Sequence, residues 1–403
     1  MNALIALLLV SALGFIFGGF LFRRARPGSL LERFFLSGAE FLLLGAVLGP
    51  HGFSVLTEDT LAGLEPFVIL ALSWIGLLMG LQLRVSHLMR FPRAYFAVAT
   101  VESLVAMSLA FLLFGALFWA GFPRGRDQTR AMRAALLLAA VIALSSPAAA
   151  HNRMNQPTRG GHGAGLLRFV SALDPFFSLG AVAVVFSVWH IAGSTPTVED
   201  WGTGAWLLAS LGGGVLLGGA FVLLLRTTRL RDEIVLIVLG MAIFSGGLAS
   251  VFQLSPLVVC VCAGIVAANF APQPDPLLHM VMRLERPLYV ALLVLAGAAW
   301  RFDSPWGYAL AAALILVRAA CKFASASTAK RLVPLPFSLG SSWWLGLMPQ
   351  GALAVAIGLS YGIVYHDELA QTAFAAVLVS TVVLTFTSGR FIDRALDSEE
   401  GSS

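Results

Sequence analysis

The sequence predicts an all-α polytopic membrane protein with about thirteen transmembrane helices, built as inverted repeats with two broken crossing helices, and three observations carry that fold class. Of the 403 residues, 58% are hydrophobic and 12% charged, and the mean hydropathy is +0.87, too apolar for a water-soluble domain of ordinary make-up. Apolar stretches long enough to cross a hydrocarbon core about 30 Å thick follow one another along the chain. Two of these stretches, the fifth and the twelfth, are interrupted at mid-span by proline.

Apolar runs between charged or Pro/Gly-rich breaks place the early spans at about 2–21, 30–48, 66–83, 94–121 and 134–151. The middle ones follow at about 165–192, 203–225, 233–252 and 256–270, and the last at about 287–300, 306–327, 341–362 and 368–389. The first run has no basic segment before it and no clear cleavage site after it, so it reads as a membrane helix and not a secretion leader. LGGGVLLGG in the seventh span has the small-xxx-small spacing of close helix packing, and its apolar setting rules out a phosphate loop. Cys260, Cys262 and Cys321 fall inside apolar spans, where they act as small hydrophobes, and an odd count argues against a disulfide framework.

The formal charge of +5 and pI near 9.5 do not point to nucleic acid, because the basic residues occupy short loops and form no continuous patch. They orient the chain instead. Arg23, Arg24, Arg26, Arg33, Arg84, Arg90, Arg93, Arg153, Arg159, Arg226, Arg229, Arg231, Arg283, Arg286, Lys330 and Arg331 gather on one side, and opposite loops such as 51–64 and 191–202 lack Lys and Arg. The positive-inside rule makes the basic side cytoplasmic, with the N-terminus outside and the C-terminus inside a cell membrane. Arg124, Arg126, Arg130 and Arg133 break the pattern on the outer side.

The fifth span breaks at Ser145-Ser146-Pro147 and the twelfth at Met348-Pro349-Gln350-Gly351. Proline removes a backbone donor and frees carbonyls that need partners in a medium without water. Two such breaks, seven spans apart, form the inverted-repeat pattern that points to a transport site. Ser145, Ser146 and Gln350 are neutral oxygen donors suited to a hard monovalent ion, although a serine in a membrane helix can also bond back to its own backbone.

A charge at the bilayer centre costs at least about 2.5 kcal/mol, so each one demands a reason. Asp174, in FVSALDPFFSLG, precedes Pro175 half-way along the sixth span and is the candidate carrier at which a proton and a cation compete. Lys322 is its natural counter-charge. Arg318, one turn away on the same helix face, is a fixed counter-charge with Glu102 as its candidate partner. Glu102, in AVATVESLVAMS, is a candidate accessory carboxylate, and Glu40 faces either a helix contact or a water-filled crevice. His190, near the outer end of the sixth span, reads as interfacial. No Walker sequence, zinc-type His/Cys cluster or nucleophile constellation is visible, so the expectation is a transporter without cofactor, resident metal or enzymatic activity.

With these residues in place, the chain resembles the monovalent cation:proton antiporter superfamily, in the branch holding Kef-type potassium efflux systems and bacterial sodium/proton antiporters. LLLGAVLGPHGFSVL and ILALSWIGLLMGLQLRVSHLMR look like the family's Leu-Gly-Pro turn and Ile-Gly-Leu-x-x-x-Leu helix. GLMPQGALAVAIGLSYG is similar to its Pro-x-Gly break, and LVRAACK to its basic pair. The resemblance covers nearly all of residues 1–390 and implies exchange of sodium or potassium for protons by alternating access, contributing to pH homeostasis. It implies core helices at about 94–192 and 306–389 moving against dimerisation helices at about 2–83 and 233–300, with a linker helix at about 203–225 and a cytoplasmic tail at 391–403. It assigns Asp174 as the membrane carboxylate, Ser145 and Ser146 as the unwound crossing, and Lys322 or Arg318 as the basic partner. The implied partners are the transported ions, the bilayer and a second copy of the chain. Leu173 stands where the family has a polar residue, which favours electroneutral exchange, and Pro147 follows the serines where the family has another residue. The chain stops at Ser403, so nucleotide-dependent regulation of the Kef kind requires a separate cytoplasmic subunit. A second reading from these departures is a transport-inactive relative acting as a membrane sensor or partner subunit.

Overall fold

A computed structural model describes residues 39–122, 127–146, 161–191, 201–227, 231–301 and 304–400. The expected first span, the beginning of the second, Pro147 with the rest of the fifth, Arg124 and Arg126 lie outside them. The described helices are α1 (Ala39–Leu48), α2 (Glu65–Gln82), α3 (Arg93–Trp119), α4 (Gln128–Ala143), α5 (His162–Val188) and α6 (Thr203–Thr227). They continue with α7 (Arg231–Val251), α8 (Pro256–Phe270), α9 (Pro274–Ala298), α10 (Pro305–Leu332), a 3-10 helix (Trp343–Leu347), α11 (Ala352–Val364) and α12 (Glu368–Glu400). Among the described residues, seven helices are long and apolar enough to cross a membrane.

α9 and α12 outrun their expected bounds furthest. α9 begins at Pro274 and carries Pro287 inside it, because the polar turns before the apolar run are themselves helical. α12 continues through 391–400, where a tail was expected. Leaving the apolar run does not end a helix, and no glycine or proline follows Gly389 until Gly401.

The chain divides into two compact units. The first includes Leu43–Arg90 and Val182–Ala299, and its interior is built from small residues and apolar side chains. A Cβ on Gly76 would stand 2.5 Å from the Leu257 carbonyl oxygen, and one on Gly264 would stand 2.5 Å from that of Leu77, so α2 and α8 approach backbone to backbone. Gly214 and Gly218, from the glycine-rich seventh span, seat α6 against α8 in the same way. Trp74, Leu78, Phe221, Val238 and Val281 fill the adjoining core, and the Trp74 indole donates to the Val281 carbonyl at 3.0 Å.

The second unit includes Phe91–Ala181 and Trp300–Ser403. Here α3 packs on α4 and α10, and α10 packs on α12. The twelfth-span break is present, and the described part of the fifth span stops being helical just before its expected break. α4 stops at Ala143 and the chain turns extended at Leu144 (φ −64°, ψ 129°). In the twelfth span the 3-10 helix ends at Leu347, and α11 starts at Ala352 after a non-helical stretch.

Candidate ion site

The two breaks meet each other. The Ser145 hydroxyl donates to the Leu347 carbonyl at 3.3 Å, and the Ser146 amide donates to the Pro349 carbonyl at 3.1 Å. A Cβ on Gly351 would stand 2.9 Å from Ser146 Oγ, so the two breaks approach closely there. Each helix that stops at the crossing leaves its last carbonyls without amide partners and carries the negative end of its dipole.

Arg318 answers both needs. Its fully buried guanidinium donates to Val141 and Ile142 at 3.0 and 2.9 Å and to Leu144 at 2.6 Å. It also donates to Leu347, Met348 and Pro349 at 3.0, 2.9 and 3.3 Å. This corrects the expected pairing with Glu102: a planar fork of five N–H groups is spent on backbone oxygens that one carboxylate could not replace.

One turn along α10, Lys322 takes the acids. Its ammonium donates to Glu102 Oε1 at 3.0 Å, to the Ala143 carbonyl at 2.7 Å and to Asp174 Oδ2 at 3.5 Å. Asp174 Oδ1 accepts from the Ser103 hydroxyl at 2.7 Å. Glu102 Oε1 also accepts from the Ser325 hydroxyl at 3.0 Å. Asp174, Glu102 and Lys322 are each 0% exposed, so the cluster holds two carboxylates and one ammonium away from solvent. Asp174 sits inside α5 just before Pro175, whose missing amide leaves the carbonyl one turn back without its helical donor.

The sequence model of the transmembrane sodium/hydrogen exchanger family matches residues 40–393. The chain belongs to that family. It is accordingly a multi-pass membrane protein and a secondary active cation/proton antiporter, not an enzyme. The exchanger also shares its fold with the sodium proton antiporter MjNhaP1 from Methanocaldococcus jannaschii. Against that protein's structure at pH 8 the TM-score is 0.67 at 17% identity, covering 98% of each chain. Against its electron-microscopy map the TM-score is 0.64 at 16% identity, covering 98% of this chain and 99% of that one. Among curated protein sequences, none matches the exchanger.

Of the residues singled out in the exchanger's sequence, Asp174, Glu102 and Lys322 come together, and Ser145, Ser146, Pro349, Gly351 and Arg318 form the adjacent crossing. Among the described residues, Asp174 makes no hydrogen bond to Ser145 or Ser146. Gln350 is turned elsewhere: Ser380 and Thr381 of α12 donate to its Oε1 at 3.1 and 3.3 Å, and Thr385 donates to its carbonyl at 3.1 Å. Its side chain therefore ties the break to α12. His190 stacks on Trp206 with ring centroids 3.5 Å apart.

The apparent surplus of outer arginines also shrinks. Arg130 pairs with Asp127 at 2.9 Å. Arg133 is buried at the start of α4, pairs with Asp367, donates to the Tyr361 hydroxyl at 3.0 Å and lies 3.9 Å from the Tyr365 ring centroid. Neither is a free loop charge. Ser103 and Ser325 escaped the sequence reading, although Ser103 is the immediate neighbour of Glu102 on a membrane helix.

Proposed function

We propose that Asp174 is the group that alternately carries a proton and a sodium or potassium ion, and that exchange is electroneutral. A buried carboxylate is neutral when protonated and again neutral when paired with a monovalent cation, so one acid carries one unit of charge in either form. Leu173 supplies no second acid beside it. The observation that carries this reading is the setting of Asp174: 0% exposed, held by one hydroxyl and one ammonium, with that ammonium also on the last carbonyl of broken α4. Ser145 and Ser146 hold the crossing, while Lys322 compensates charge and links Asp174 to the last carbonyl of broken α4. The likeness to a sodium proton antiporter supports sodium as the first cation to try.

On this reading the helices at about 94–192 and 306–389 form the moving core and those at about 2–83 and 233–300 the dimerisation part of a homodimer. The loop arginines support an outer N-terminus and a cytoplasmic C-terminus in a cell membrane, and proton exchange of this kind serves pH homeostasis. In proteoliposomes loaded with a pH-sensitive dye, added sodium or potassium drives proton movement through the intact chain, and Asp174→Asn abolishes it. Equal exchange by the two proteins at every cation and pH would remove Asp174 as carrier.

A further inference from the structure

We propose that Glu102 is the standing counter-ion of Lys322, a positioning residue that keeps Asp174 free for its cargo. An ammonium has three N–H donors, and Lys322 has three acceptors: Glu102 Oε1, the Ala143 carbonyl and Asp174 Oδ2. Of the two carboxylates, Glu102 is the nearer, at 3.0 Å against 3.5 Å. Ser325, three residues beyond Lys322 on α10, donates to the same Glu102 oxygen. Glu102 Oε2 has no partner among the described residues, so the acid depends on α10 through Oε1 alone. Asp174 instead receives its short hydrogen bond from neutral Ser103. The other buried cation facing the acids, Arg318, is spent on carbonyls of the crossing.

The charge count then follows from the proposed role of Asp174, on which this inference rests. Glu102 and Lys322 form a neutral pair whose protons stay in place throughout. An arriving cation displaces a single proton from Asp174 to the solvent on the same side, and the cluster is neutral before and after. Without the Glu102 charge, the cation-loaded state sets two cations, Lys322 and the cargo, against the single Asp174 carboxylate in a site closed to water. Cation binding bears that cost. Glu102 is thus neither a second carrier nor a ligand of the ion.

The test is cation-driven proton exchange in proteoliposomes, measured against sodium concentration. Glu102→Gln raises the sodium KM by about tenfold or more. The double variant Glu102→Gln/Lys322→Gln, which removes both members of the neutral pair, returns it to within about threefold of the intact chain. A residue that merely shaped the fold would not be rescued by a second loss. An unchanged KM in Glu102→Gln, or a double variant no better than the single one, overturns the proposal. Where Glu102→Gln yields no folded protein, the double variant decides: exchange supports the pair and its absence overturns it. Asp174→Asn is measured alongside, since exchange surviving there sinks the carrier assignment itself and not the role of Glu102.

Discussion

In the unit that includes Leu43–Arg90 and Val182–Ala299, no charged side chain is buried among the described residues, whereas Glu102, Arg133, Asp174, Arg318 and Lys322 are all buried in the unit that includes Phe91–Ala181 and Trp300–Ser403. The first unit joins its buried helix faces by close packing, with Gly76 and Gly264 admitting facing backbones, and its inter-helix ion pair, Arg84–Asp275, lies at the surface. The second breaks two helices and spends a guanidinium on the exposed carbonyls. Packing alone is enough to build a membrane scaffold. The buried charges of the second unit need another reason to be there, and the proposed handling of a charged cargo supplies one.

The sharpest way to break this contrast is Arg318→Met. It leaves the carbonyls of both breaks without donors, and each buried acceptor left unsatisfied costs about 1 to 3 kcal/mol. The variant shows a large fall in the melting temperature of detergent-solubilised protein and no exchange. Arg318→Lys does not restore it, because three donors on a point charge cannot span the same oxygens. A variant that melts like the intact chain would mean that the crossing is held by something other than this side chain.

In the scaffold unit, Gly264→Leu forces a side chain against the Leu77 carbonyl and costs about 1 to 3 kcal/mol. The two regions then differ in kind: Gly264→Leu lowers the melting temperature, but the protein that remains folded keeps the sodium KM of the intact chain. A changed KM would show that the glycine seam serves transport directly.

The least disturbance of the fold is expected from Ser103→Ala, which removes the short hydrogen bond to Asp174 and acts on the carrier. A hydrogen bond to a charged group contributes about 1.5 to 3 kcal/mol, so exchange weakens measurably while the fold persists. Ser325→Ala, on the Glu102 side, serves as the control that separates the carrier from its neighbour.

Most of the fold was legible in the sequence because a membrane span needs only a long apolar run. The breaks were legible because proline at mid-span leaves orphan carbonyls whatever its neighbours are. Asp174, Glu102 and Lys322 stood out by their cost in an apolar helix. The role of Arg318 was not legible, since its partners are backbone carbonyls and these leave no trace in residue identity. The partners of Gln350 were not legible for a related reason: the hydroxyls that bind it, on Ser380 and Thr381, sit in a span that reads as ordinary lipid-facing helix. Ser103 could have been found by noting that Glu102 and its neighbour are both polar within an apolar run.

The most direct measurement counts the protons released when sodium or potassium is titrated into purified, weakly buffered protein. A cation that displaces the Asp174 proton releases about one proton per ion bound, and Asp174→Asn releases none. Proton release that is the same with and without the Asp174 carboxylate would contradict the account.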